Sequence, residues 1–286
     1  MISMGGVGIR IAVLVLLVTV AAAGLASAQR LAVISPNTDS FVVTVRDALS
    51  DQLSSRTRIV DASLAATAFS SVRADAPLNL TSEQSKQVGA VIGCDFFVLV
   101  QAAVLRRASL DRPDYFEAYA AVFAVSSRTG RLVRWELIRA ESGTEADASK
   151  RLLRQIPPFA ISLRSSLAGT ASAEAAEPLA PMLEEPPDEN SSAARHFRSP
   201  VPYRRIKPEY TSTAYLYGVT ATVQILVDLD EKGGVTRTEI TRWAGFGLDE
   251  SVTDAVRKMN WRPAERGGKP LPMRFMLRYN FKKSEK

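Results

Sequence analysis

The chain has 286 residues, 46% hydrophobic and 23% charged, a balance that excludes a disordered or fibrous protein and leaves room for about two domains. The formal charge of +6 is scattered along the chain and forms no basic helix with interleaved stacking aromatics, which argues against nucleic acid as a partner. The single cysteine, Cys94, and single histidine, His196, exclude an internal disulfide and a typical zinc site.

Residues 1–28 have the pattern of an export signal. Arg10 is their only charged side chain, Ile11 to Leu25 is apolar apart from Thr19, and Ala26-Ser27-Ala28 is an A-x-A cleavage site. Cleavage there makes Gln29 the mature N-terminus. The competing reading is a retained anchor, because the apolar run is just long enough to span a bilayer. The first places the chain in the periplasm; the second anchors it in the inner membrane with its domains outside the cytoplasm.

Residues 29–168 are expected to form one α/β domain. Leu31 to Ile34 reads as a strand, and Phe41 to Leu53 carries apolar residues at helical spacing. Ile59-Val60 is a second short strand. Thr81-Ser82-Glu83-Gln84 is a capping box, and its helix stops at Gly93. Asp95 to Leu105 is nearly continuous in apolar residues, as a central strand buried on both faces would be. Tyr115 to Val125 and Leu132 to Ile138 form a hairpin around Ser127-Arg128-Thr129-Gly130. A last helix starts near Thr144 and breaks at Pro157-Pro158, with Phe159 to Leu167 resuming it. The run T-S-E-Q-S-K-Q-V-G-A-V-I-G-C-D-F-F-V-L-V, a capped helix ending in glycine and feeding a buried strand, resembles α/β modules of bacterial envelope proteins such as the N-terminal domain of TolB and the curli-secretion protein CsgG. The resemblance implies an assembly or docking domain.

Residues 169–200 read as an acidic, Pro- and Ala-rich linker between two independent units. Glu174, Glu177, Glu184, Glu185, Asp188 and Glu189 make it self-repelling and extended. A basic cluster follows at once, Arg195, Arg198, Arg204, Arg205 and Lys207. It reads as a solvated boundary, or as a site for an acidic partner or for the linker folding back.

Residues 201–286 are expected to be a small β-β-α-β domain, one antiparallel sheet with a helix on one face. Val219 to Leu229 alternates strictly, and Asp230-Glu231-Lys232-Gly233-Gly234 turns it into a second strand, Val235 to Trp243. Val235 and Ile240 differ in parity and can share a face only through a bulge. Leu248, Val252, Ala255, Val256 and Met259 make one helical stripe. Asp249 and Glu250 in its first turn and Arg257 and Lys258 in its last suit the helix dipole, and Trp261 and Pro263 end it. After the turn at Gly267-Gly268, Met273, Phe275, Leu277, Tyr279 and Phe281 alternate with Arg274, Met276, Arg278 and Asn280, a strand with one core face and one wetter face.

The chemistry of catalysis is absent. No G-x-S-x-G, P-loop or G-x-G-x-x-G stands at a strand-to-helix junction, and His196 lies at the edge of the linker. Asp111 and Asp114 flank Pro113 and are better explained by turn chemistry than as a catalytic pair. Trp243 and Trp261 read as core aromatics. A binding protein without cofactor or metal is expected, not an enzyme.

The L-D-E helix, W-R-P-A, Gly-Gly turn and final strand resemble the C-terminal domain of TonB-family proteins. Pro208-Glu209-Tyr210-Thr211 stands for the family's P-x-Y-P segment, with Thr211 in place of the second proline. The resemblance implies strand addition: the strand Leu271 to Phe281 receives a segment of an outer-membrane receptor or other envelope protein, possibilities that place Arg274, Met276, Arg278 and Asn280 against the guest, with Pro208 and Tyr210 lining the approach. Energy-coupled transport through an inner-membrane motor complex would further require a retained N-terminus, and family transducers carry there a histidine that residues 11–28 lack. Three other readings stay open: a homodimer formed through the same edge, an edge merely blunted by Arg274 and Arg278, and an envelope scaffold acting through the N-terminal domain.

Overall fold

The computed structural model describes residues 29–109, 114–178 and 181–283. The expected export segment, and Asp111 of the carboxylate pair, lie outside them; Asp114 forms an ion pair with Arg106 at 2.8 Å. No helix among the described residues is long and apolar enough to cross a membrane.

The N-terminal half is built in the order β1 (Arg30–Ile34), α1 (Ser40–Ser54), β2 (Arg58–Ile59), α2 (Ala62–Ser71), α3 (Ser82–Ile92), β3 (Phe96–Arg107), β4 (Tyr115–Ser126), β5 (Leu132–Ser142), α4 (Glu145–Leu153) and α5 (Ile156–Ala176). Its sheet has the strand order β2-β1-β3-β4-β5, parallel where β1 meets β2 and β3 and antiparallel from there on. The apolar run that reads as a central strand is β3. The Thr81/Gln84 capping box is formed, and Gly93 closes α3 in the left-handed conformation at φ 70°, a geometry glycine adopts without a Cβ penalty. One face of the sheet is covered by α1, α4 and α5, which bury Val42, Leu49, Leu152 and Leu163 against Val98, Val100 and Val122.

The C-terminal half follows as β6 (Phe197–Arg198), β7 (Val201–Pro202), α6 (Ser212–Leu216), β8 (Ala221–Leu229), β9 (Val235–Arg242), α7 (Leu248–Arg257), β10 (Trp261–Arg262), β11 (Ala264–Arg266), β12 (Lys269–Leu271) and β13 (Met273–Phe281). Its main sheet has the order β13-β8-β9, antiparallel throughout, with α7 on the apolar face, so the β-β-α-β arrangement is present. The ladder between β8 and β9 shifts register at two places. Ile240 pairs with Ile225 and Val235 with Leu229, which brings both to the side of the core as the parity argument requires.

The second face of the N-terminal sheet is covered by α2 and α3, which bury Phe69, Val88 and Ile92, and by the C-terminal half. Phe97, Leu99, Phe123 and Val125 belong to the same apolar cluster as Trp243, Ala244, Phe246 and Val252. Ring centroids of Phe123 and Trp243 lie 5.6 Å apart, and those of Trp135 and Phe246 5.3 Å apart. Polar side chains stitch the seam. Asn79 Nδ2 donates to the carbonyls of Thr222 (2.9 Å) and Trp243 (2.6 Å), and the Thr222 N–H donates back to Asn79 Oδ1 at 2.9 Å. The amide thus satisfies the end of β8 where β9 no longer reaches it.

Four boundaries differ from expectation. The break expected at Pro157-Pro158 falls two residues earlier, at Arg154-Gln155 between α4 and α5, and the prolines occupy the first turn of α5, where proline's missing N–H has no partner to lose. The same helix continues past 168 to Ala176, because Glu174 of the expected linker is buried and accepts from Ser126 Oγ at 2.9 Å and Thr129 Oγ1 at 2.7 Å. Leu271 belongs to the β11–β12 hairpin rather than to the last strand, which begins at Met273 after Pro272. In addition α7 stops at Arg257, before Trp261 is reached.

Candidate binding edge

Strand β13 is an outer strand of its sheet, so one side of its backbone bonds to β8 and the other is turned away. The Arg274 N–H points away, since it donates to the carbonyl of Glu184 at 2.9 Å. Backbone direction alternates along an antiparallel strand, so Met276, Arg278 and Asn280 turn their main-chain groups outward as well. Those are the residues expected to meet a guest. The opposite parity is fixed by burial: Met273, Phe275 and Phe281 are buried, with Leu277 and Tyr279 packed against the same cluster.

The side chains of the outward row are held over β8. Arg274 Nε and Nη2 each donate at 2.7 Å to the two oxygens of the buried Asp228, a bidentate pair that also raises the Arg274 pKa. In the amide orientation that satisfies both groups, Gln224 Oε1 accepts from Arg278 Nε and Nη2 at 3.0 and 2.7 Å. Thr222 Oγ1 donates to Asn280 Oδ1 at 2.8 Å. Met276 lies between them, 51% exposed.

Pro208 and Tyr210 are placed differently from one another. Tyr210 is tied inward: its hydroxyl donates to the carbonyls of Val219 (2.7 Å) and Ala214 (3.2 Å), and its ring stacks on Phe281 with centroids 6.2 Å apart. That makes it a brace for the end of β13. Thr211 caps α6 by accepting from the Ala214 N–H, and donates to the Phe246 carbonyl at 2.6 Å, work that a proline in its place cannot do. Pro208 is buried at the wall of a groove of about 450 Å³ beside the core face of β13. Pro202, Ile206, Trp261, Phe275 and Leu277 also line this groove, and Arg205, Lys207 and Arg278 stand at its rim. Trp261 is buried, with its ring edge-on to Phe275 at 5.1 Å.

Two features of the edge have no periodic signal in the sequence. Glu184 forms a parallel bridge with Met273 and an ion pair with Arg266, so the acidic stretch folds back onto the start of β13. At the other edge, Thr81 bridges Arg242, and Arg242 Nε donates to the Asn79 carbonyl at 3.0 Å. Each open edge of the small sheet is therefore occupied at one end by the chain itself. Among the described residues no group of His, Cys, Asp and Glu is arranged to hold a metal ion.

The family of the Gram-negative bacterial TonB protein C-terminal matches residues 206–282. Among solved structures, the chain is similar to the TonB C-terminal domain of Pseudomonas aeruginosa, with 21% identity, covering 34% of this chain and 93% of that one at a TM-score of 0.27. A hypothetical protein of Chlamydia trachomatis is 14% identical, with 45% and 94% covered and a TM-score of 0.31. The lipoprotein GNA1162 of Neisseria meningitidis is 11% identical, with 48% and 99% covered and a TM-score of 0.33. Comparison with curated proteins finds no match. The family match covers the two-stranded turn, the helix and the last strand described above, and residues 206–282 are a TonB C-terminal domain.

Proposed function

We propose that the protein works in the periplasm as a TonB-like binding protein that takes up an extended segment of an outer-membrane receptor or other envelope protein by strand addition to β13. The observation that carries this reading is the outward main-chain row of β13. From Met276 to Asn280 it lies on the side away from β8, and an incoming strand can complete its hydrogen bonds. The register is held by five residues of core parity, so a slip by one would expose them all. The groove beneath offers apolar contact to alternate guest side chains, and its basic rim favours acidic ones.

The test is Met276→Pro. Proline at 276 removes an outward N–H and clashes with an incoming strand, while the bonds to β8 come from the other parity. Circular dichroism checks that the variant folds, and fluorescence anisotropy measures its binding to synthetic peptides from the N-termini of outer-membrane receptors. Binding should weaken by about tenfold or more, the order of one lost hydrogen bond plus the clash. A folded variant that binds like the parent refutes strand addition here. If a parent dimer turns into a monomer in the same variant, the edge serves self-association.

A further inference from the structure

The acidic stretch after α5 does more than connect. Its residue Glu184 lies parallel to β13, accepts the Arg274 N–H at 2.9 Å and places its carboxylate on Arg266. In a parallel ladder of this register, the next rung needs an N–H from residue 186 to the Arg274 carbonyl, and the one after that sends the Met276 N–H to the carbonyl of 186. Residue 186 is proline and so is 187. Neither has an N–H to donate. The pairing therefore stops after one rung, at the position where the proline stands.

We propose that residues 182–185 are a tethered guest strand that holds the first rung of the β13 edge, with Pro186 and Pro187 as the stop that keeps it from advancing over Met276 to Asn280. The proposal deepens the strand-addition reading and rests on it for its functional meaning. A partner strand that covers the whole edge must displace Glu184 from Arg274, whereas a shorter one pairs from Met276 onward beside it. The tether makes the self-contact intramolecular, so it needs little intrinsic affinity to stay in place. The stop matters for the same reason: without it, a strand present at high effective concentration would close the edge to every partner. The same contact also blunts the edge against pairing with another copy. Because one of its two anchors is an exposed ion pair, salt weakens the hold.

Hydrogen exchange followed by NMR on the full chain tests this with no partner present. In the parent, the Arg274 amide should exchange about tenfold more slowly than in a variant carrying Met182→Gly, Leu183→Gly, Glu184→Gly and Glu185→Gly, the order of one backbone hydrogen bond. The Met276 amide should be open in both. In the variant Pro186→Ala with Pro187→Ala, the rung at 186 becomes available, and Met276 should gain protection of similar size. Equal exchange of Arg274 in the parent and the glycine variant overturns the tethered guest. An unprotected Met276 in the alanine variant overturns the proline stop. Neither readout involves a receptor peptide, so failure of partner binding in the Met276→Pro experiment leaves both ratios where they are, and the two ideas fall separately.

Discussion

The hydroxyl of Tyr217, at the end of α6, donates to Glu117 Oε1 on β4 of the other half of the chain. Glu117 is buried, and its second oxygen takes a bond from Arg107 Nε at 2.8 Å. The Arg107 guanidinium in turn lies 5.5 Å from the Tyr217 ring centroid. Burial first, and then the carboxylate acceptor, raise the Tyr217 pKa above its ordinary value, so the phenol stays protonated and keeps donating. Tyr217→Phe retains the ring and leaves one buried carboxylate oxygen without its donor. We expect it to lower stability by about 1–3 kcal/mol, measured by urea denaturation of the full chain. An unchanged midpoint would mean that water replaces the hydroxyl and the seam is wet.

Gly245 lies at the apolar centre of that seam. Its φ is +68°, and a Cβ there would come within 2.7 Å of Phe123 Cε1 and 3.3 Å of Trp135 Cγ. Gly245→Ala therefore meets two costs: the left-handed backbone, about 1–2 kcal/mol, and displacement of an aromatic ring in a packed core. Gly267, at φ +58° with nothing within 4 Å of its Cβ position, carries the first cost alone. The comparison isolates packing between the halves. Gly245→Ala should lower the denaturation midpoint clearly more than Gly267→Ala, and equal effects would show that Phe123 moves aside freely.

Periodic features were legible in the residues. The alternation in Met273 to Phe281 defines the faces of β13, the T-S-E-Q run defines the start of α3, and the parity of Val235 and Ile240 requires the bulged β9. These are local: a helix or strand buries one face, and the pattern of apolar residues records which. The seam is not local. Asn79 reaches Thr222 across 143 positions of sequence, and an asparagine that bonds a distant backbone looks the same in the sequence as one in a turn. The roles of Glu174 and Glu184 escape the sequence for a related reason. Acid-rich composition predicts an extended chain on average, but it does not show that one carboxylate is held by Ser126 and Thr129 and another by Arg266. The resemblance to the TonB family supplied the edge and its outward row; that Tyr210 is tied inward follows only from the placement of the Val219 carbonyl.

Asp249 makes stability depend on pH. It is buried, and its two oxygens accept from the Ala244 N–H at 2.9 Å and the Gly245 N–H at 2.8 Å. Burial outweighs those bonds and pushes its pKa up to about 7 from an ordinary 3.8. A carboxyl raised on folding binds more protons in the folded state than in the unfolded one between those two values. Its contribution is complete below the lower value and is lost as pH rises through the upper one. Stability should thus decline from about pH 4 to about pH 7 on account of this group, then level off. Thermal melts of the parent and Asp249→Asn across this range measure it. The variant should lack that component of the slope, and identical slopes would mean that Asp249 titrates at its ordinary value.

Limited proteolysis reads the connection between the halves. An extended linker from 169 onward would be cut anywhere between about Ala171 and Arg198. The structure narrows the window. Residues to Ala176 are helical, Glu174 is buried and doubly bonded, and Glu177 Oε2 accepts from Arg131 Nη1 at 2.6 Å. Exposed side chains predominate from Met182 to Asn190, and cleavage should fall there. The products should then behave unlike those of two independent units. Phe97, Phe123, Trp243 and Phe246 share one apolar cluster, and cutting a surface connection removes none of those contacts. Two bands on a denaturing gel should therefore elute as a single species in gel filtration at the parent's volume. Cuts inside 171–176 would show that the end of α5 opens readily, and two separate elution peaks would show that the halves hold together only through the chain between them.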